Sequence, residues 1–252
     1  MIWQGDPDRT KQVLSIQLIV AVLGIPVLVY QWHWWYTIYL VFFYSFLLFI
    51  SHHAGLHRYF SHRSYTVTPF WHAFLCISSC LACFGSPVGY SIIHRAHHVH
   101  TDTEKDPHAP DIGILNVILF NWNLSNLSMW DGISDLRDPW MKATHNYYAL
   151  IVLTFALVLL AIDPILFLCY SIANAGALLA MGFINTACHT HGLTTYQNHA
   201  TKDTSSNSYL ALVIGEWHNN HHANPQQWNQ REQWWEVDYA AQFIRLIKTS
   251  RE

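Results

Sequence analysis

The sequence predicts an all-α membrane protein: four transmembrane helices in two hairpins, beneath a cytosolic histidine-rich cap with interfacial helices. Three observations lead there. Of 252 residues, 52% are apolar and only 12% charged, about half the charge of an average soluble domain. Four stretches are apolar over close to the ~20 residues that a helix needs to cross a bilayer. The 13 Lys and Arg avoid the two links inside the apolar pairs. They gather in the N-terminal tail, between Arg58 and Lys142, and from Lys202 onward. By the positive-inside rule, those three regions lie in the cytoplasm.

The first span is expected over 12–30, where a membrane helix tolerates Gly24 and Pro26. The second is expected over 34–52, and the aromatic link "QWHWW" between them reads as an interfacial belt. Spans at 147–162 and 164–187 form the second hairpin, hinged at Asp163-Pro164. The whole of 1–252 reads as one integral-membrane unit with both termini cytoplasmic and a cap built from 53–146 and 188–252. Segment 69–93 is apolar but interrupted by Gly85, Pro87 and Gly89. A crossing there would move Arg95, Lys105, Arg137 and Lys142 outside, so it reads as an interfacial or re-entrant helix. Apolar residues at Ile114, Leu115, Ile118, Leu119 and Trp122 predict a second surface helix within 112–130.

Several classes fall away. Net charge is −3, so nothing points to a nucleic-acid partner. No cleavable signal peptide is evident: the first apolar run is too long, acidic residues precede it, and no A-x-A site follows. Cys76, Cys80, Cys83, Cys169 and Cys188 lie in or beside apolar stretches and are odd in number, which reads as packing by free thiols. The sequons at Asn123 and Asn126 would face the cytoplasm and read as chance.

The chemistry lies in the histidines. The pattern H-x-x-H-H occurs at His94, His97 and His98, and again at His218, His221 and His222. Residues three and four apart share a helix face, so each box predicts three imidazoles converging on one point. Neutral imidazole ligates zinc, copper, iron or nickel. His57 and His62 form a further pair, and His189 follows the fourth span with Asn185 one turn earlier. Each group emerges at the cytoplasmic end of an apolar segment. These nine histidines exceed one metal's capacity and suit two. The remaining His33, His52, His53, His72, His100, His108, His145, His191 and His199 read as interfacial or outer residues. Of these, His53, one turn before His57, is the first to reconsider. A metal-bound histidine passes its second N–H to a carboxylate or carbonyl, which makes Asp102, Asp106, Glu216 and Asp238 candidate outer partners. Arg58 and Arg95, inside the boxes, orient acidic partners, meet an anionic head group, or cap the cytoplasmic face. A metal transporter would place its ligands near the bilayer midplane, and a membrane haem protein would put histidine pairs inside the spans. Neither pattern is present.

These motifs carry a resemblance. "HRYFSH", "HRAHH" and "HNNHH" look like the three histidine boxes of the membrane-bound fatty-acid desaturases, in the delta-9, stearoyl-type branch acting on acyl-CoA or acyl lipids. "INTACHTHG" resembles the segment with that family's extra histidine and a nearby asparagine, and "TDTEKDPHAP" and "WWEVDY" resemble the stretches after its second and third boxes. The resemblance implies two iron ions, cycling between Fe2+ and Fe3+, on His57, His62, His94, His97, His98, His189, His218, His221 and His222. Asn185 would hold a metal-bound water, and no catalytic residue is implied beyond the metal site. It implies O2 as co-substrate and a cis double bond, at the delta-9 position, in a saturated acyl chain carried by lipid, coenzyme A or acyl carrier protein. No cytochrome b5 domain is fused to the chain, so two electrons would come from a separate ferredoxin, rubredoxin or cytochrome b5-type donor. Acyl hydroxylases and acetylenases use the same boxes and remain the alternative. At the third box the family commonly reads G-E-G-x-H, whereas Gly215-Glu216-Trp217-His218 is one residue shorter, which puts the role of Glu216 in question. The compact size points to a bacterial inner membrane, with the endoplasmic reticulum as the other setting.

Overall fold

In apolar surroundings backbone N–H and C=O groups must satisfy one another, and a long apolar run does so as a helix. The computed structural model describes residues 6–197 and 203–249, and its regular elements there are all helices; among the described residues there is no strand, only isolated bridges. His199 and Lys202 lie outside the described residues.

Helix α1 runs Asp6–Tyr30, and α2 runs Trp35–Ser61 as one 27-residue apolar helix. The pair α3 (Pro69–Leu81) and α4 (Pro87–His100) follows, then α5 (Pro139–Asn146), α6 (Tyr148–Ile162) and α7 (Pro164–Ala187). Helix α7 is the centre of the bundle and packs against α1, α2 and α6. Its start is set by Asp163, whose carboxylate accepts the Ile165 N–H at 2.9 Å, and by Pro164 in the first turn. The core holds Leu14, Leu48, Leu178 and Ile184, while Val22, Leu23 and Val29 stand exposed on the outer face of α1. Apolar surface of that kind is compatible with membrane association.

Three helices are long and apolar enough to cross a membrane: Thr10–Tyr30, Trp35–Ser61 and Pro164–Ala187. The third expected span, 147–162, is different. Helix α6 has 15 residues, about 22 Å at ~1.5 Å per residue, against a hydrocarbon core of about 30 Å. It makes a fourth span only together with α5, from which it bends by 72°.

Other boundaries also move. Helix α2 does not end near residue 52 but continues to Ser61, and from Phe46 onward it follows the wider π-helical register, a rare conformation that tends to occur at functional sites. Segment 69–93 is two helices, neither long enough to cross. The chain turns between them through left-handed Cys83 (φ 61°) and Gly85 (φ 104°), and Ser86 restarts it by accepting the Gly89 N–H at 3.1 Å. The surface helix expected over 112–130 is not continuous. Left-handed Gly113 (φ 81°) and Phe120 (φ 55°) leave a single turn, Ile114–Ile118, and a short coil of 3-10 type, Met129–Gly132. Phe120 is buried in the core instead of lying along a surface.

Candidate metal centre

The π register explains the first histidine pair. His62 N–H donates to His57 C=O at 3.2 Å, a bond spanning five residues, so the two rings share a face with centroids 5.1 Å apart. Helix α4 carries His94, His97 and His98 on its last turns, and His189 follows the C-cap of α7. The third box lies on α8 (His218–Ala223). The preceding turn ends at Gly215 (φ 78°), where a Cβ would press on Phe49 and Tyr239. The two asparagines inside "HNNHH" fasten this short helix. Asn219 Oδ1 accepts the Thr195 and Tyr196 N–H groups at 2.7 and 2.8 Å, and Asn220 Nδ2 donates to Gln230 C=O and Glu236 at 3.0 Å each.

The nine histidines singled out by spacing come together, but not as three convergent tripods. His57, His62, His94, His98 and His221 form one group, and His97, His189, His218 and His222 form another. Each H-x-x-H-H box is split between them. The first and third histidines (i, i+4) join one group, and the middle one (i+3) joins the other. Positions i+3 and i+4 lie about 100° apart around a helix, so adjacent histidines face two directions. In the group of five, Nε2 contacts run His62–His94 at 2.8 Å, His94–His98 at 3.1 Å, His98–His221 at 2.9 Å and His221–His57 at 2.9 Å. In the group of four, His189–His218 is 2.8 Å and His97–His222 is 3.4 Å. The groups adjoin: the rings of His98 and His222 are 4.5 Å apart.

The outer partners show that a cation fits here. His97 Nδ1 lies 2.9 Å from Asp106, His189 Nδ1 3.1 Å from Asp102 and His222 Nδ1 3.0 Å from Asp203. An ionised carboxylate only accepts, so Nδ1 carries the proton and Nε2 keeps its lone pair. The Nε2 atoms of His97 and His222 therefore face each other with lone pairs and no proton between them, an arrangement a positive ion relieves. Burial and mutual repulsion hold His94, His98, His218, His221 and His222 well below the usual imidazole range. Burial and then the charges of Arg95 and Arg58 push His62 down to about 3. Neutral imidazoles are what a metal requires. Burial raises Asp106 and Asp102, but hydrogen bonds and attraction from their histidines, together with nearby backbone N–H groups, outweigh it and leave both below the usual carboxylate range.

Asp203 was not among the sequence candidates; no motif or periodicity marks it. Asp238 takes a different partner from the histidine expected of it. Its carboxylate grips the buried Arg58 at 2.8 and 2.9 Å and accepts the Ala241 N–H at the start of α9 (Tyr239–Ile247). Arg95 likewise binds Asp135 at 2.7 Å and the Phe60 and Ser61 carbonyls. Glu216 lies 3.2 Å from His53 and 3.6 Å from His57. Burial pushes it up to about 7, with Arg58 pulling down and Asp238 pushing up. His53 directs its other nitrogen to Ile214 C=O at 3.0 Å. Beside both groups opens a cavity, apolar at Phe84, Ile93, Val117, Phe120, Leu178 and Met181 and polar at His57, His94, His218 and Asn185. Asn185 thus lines the same cavity as His57, His94 and His218. His52 and His108, set aside as outer residues, also line this cavity.

Fold and site together define a class: a helical chain with membrane-length apolar helices and two adjoining histidine clusters with the spacing of metal ligands. The chain belongs to the fatty acid desaturase family, whose model matches residues 32–245, and it is therefore an oxidoreductase. Among curated proteins it is 32% identical over 211 residues to the Delta-9 desaturase-like 4 protein of Arabidopsis thaliana, covering 77% of this chain and 67% of the relative. It is 30% identical over 209 residues to Delta-9 acyl-lipid desaturase 1 of the same plant, with the same coverage. It is 29% identical over 204 residues to the sn-1 stearoyl-lipid 9-desaturase of Anabaena variabilis, covering 77% and 74%.

Proposed function

We propose that this protein is a membrane di-iron desaturase that introduces a cis double bond, at the delta-9 position, into a saturated acyl chain. The observation that carries this reading is the division of nine buried or half-buried histidines into adjoining groups of five and four beside a largely apolar cavity. An all-imidazole donor set suits iron among several ions, and an unactivated methylene has no acidic proton, so the reaction needs a redox metal. Two irons bound by these histidines would supply the oxygen chemistry: O2, two electrons and two protons, with two hydrogens from the chain, yield the alkene and two waters.

The chain's own residues do the rest. Asp102, Asp106 and Asp203 fix the tautomer and direction of their histidines. Asn185, which lines the cavity, would hold a metal-bound water. Phe84, Phe120, Leu178 and Met181 offer apolar contacts to a hydrocarbon chain and exclude bulk water. The names of the relatives favour an acyl lipid as substrate. The whole chain acts as one membrane-embedded unit of four spans in two hairpins, with α5 and α6 together as the third span. The metal centre and both termini lie on the cytoplasmic side, in a bacterial inner membrane, and electrons come from a separate donor protein.

The test is a fatty-acid profile by gas chromatography–mass spectrometry after expression in a host rich in saturated lipids and supplied with a ferredoxin system. His218→Ala is the control. A new monounsaturated acid with its double bond at carbon 9, absent in the control, is expected. A hydroxylated or acetylenic product would overturn desaturation in favour of the sister chemistry.

A further inference from the structure

We propose that His72, Cys76 and Asp138 form a third metal site, separate from the two histidine groups, that takes a zinc-type divalent cation and ties α3 to α5. His72 and Cys76 are four residues apart on α3 and so share a face. Asp138 is the N-cap of α5, with Oδ1 accepting the Trp140 and Met141 N–H groups at 2.9 Å each. His72 Nε2 lies 3.1 Å from Asp138 Oδ1 and 3.6 Å from Cys76 Sγ, and all three donor atoms fall within 4.8 Å of one another. Tetrahedral zinc, with bonds of about 2.0 Å to nitrogen or oxygen and about 2.3 Å to sulfur, sets neighbouring donors roughly 3.3–3.6 Å apart. The observed spacings bracket that range.

The surroundings fit as well. His72 Nδ1 is 2.9 Å from the Tyr59 hydroxyl. That hydroxyl can donate or accept, so it satisfies Nδ1–H when Nε2 turns to a cation, as metal-bound histidine requires. Cys76 is fully buried, whereas the His72 and Asp138 side chains are 18% and 36% exposed, which leaves a way in from solvent to a soft ligand. A mixed thiolate, imidazole and carboxylate set favours zinc. As the zinc–sulfur bond forms, the thiol proton leaves to solvent, and no electron is transferred. The cation would brace α3 against the start of the bent α5–α6 pair.

The test uses the full-length, iron-loaded protein in detergent with one equivalent of Zn2+, read by zinc K-edge X-ray absorption. One sulfur neighbour at about 2.3 Å is expected, and it disappears in Cys76→Ser. Neither histidine group contains a cysteine, so zinc straying into them gives a nitrogen-only shell. Zinc affinity should fall by more than about tenfold in His72→Ala and in Asp138→Asn, the least loss expected even of an outer partner, with iron content unchanged. A shell without sulfur in the unmodified protein, or equal zinc affinity in all three variants, overturns the site; either outcome leaves the desaturase reading untouched.

Discussion

The two histidine groups are held in opposite ways. In the group of four, three of the imidazoles hand Nδ1 to an aspartate. In the group of five, the nearest carboxylate to an Nδ1 is Glu216, 3.6 Å from His57, and the Nδ1 atoms of His57 and His221 have no hydrogen-bond partner. The scaffolding differs too. His57, His62, His94 and His98 sit on or at the end of the long helices α2 and α4, whereas His189, His218 and His222 sit on a helix exit and on a helix of six residues. Helix length alone does not decide the partner: His97 lies on α4 and takes Asp106, and His221 lies on the six-residue α8 and its Nδ1 takes none.

The comparison can be broken at several places. The largest effect is expected from removing one ligand of each group. His94→Ala and His97→Ala should each reduce desaturation below roughly 1% of the unmodified protein, since even an outer partner is worth about 10–100-fold. Product yield by mass spectrometry checks this, and full activity in either variant would remove that group from the metal centre. Next is the anchor of the helix-borne group. Arg58, beside His57, is fully buried and held by Asp238. Asp238→Ala removes Arg58's close partner, leaving only Glu216 at 4.0 Å, and should destabilise the protein by about 3–5 kcal/mol, measured by unfolding in detergent. A loss under about 1 kcal/mol would mean that packing alone holds the end of α2. The smallest and sharpest test sets Asp106→Asn against Glu216→Gln. The first should weaken iron retention against a chelator by about 10–100-fold and the second by less than about tenfold. Equal losses would erase the distinction between the groups.

Much of this was legible in the sequence, for reasons that can be named. Long apolar runs announce helices because the backbone has no other way to satisfy itself in hydrocarbon. Local geometry was harder. The apolar pattern over 112–130 matches a helix, yet left-handed Gly113 and Phe120 interrupt it. The bounds 147–162 were legible to within one residue, but the 72° bend that joins this helix to α5 was not. Among the outer partners, Asp102 and Asp106 could be picked from their closeness to a box. Asp203 could not, because it reaches His222 from a polar loop without a motif. Asp238 looked like a histidine's partner because sequence does not show that a buried guanidinium competes for the same carboxylate.

By itself the sequence determined the apolar segments, the family signature and the nine histidines of interest, because hydropathy and box spacing are properties of neighbouring residues. Only the tertiary structure decided which histidine serves which group. Neighbours at i+3 and i+4 point about 100° apart, and what each one meets depends on the helices packed to either side. The same holds for His72 and Asp138, 66 residues apart in the chain and 3.1 Å apart in space. No local pattern encodes a contact that exists only because α3 and α5 fold against each other.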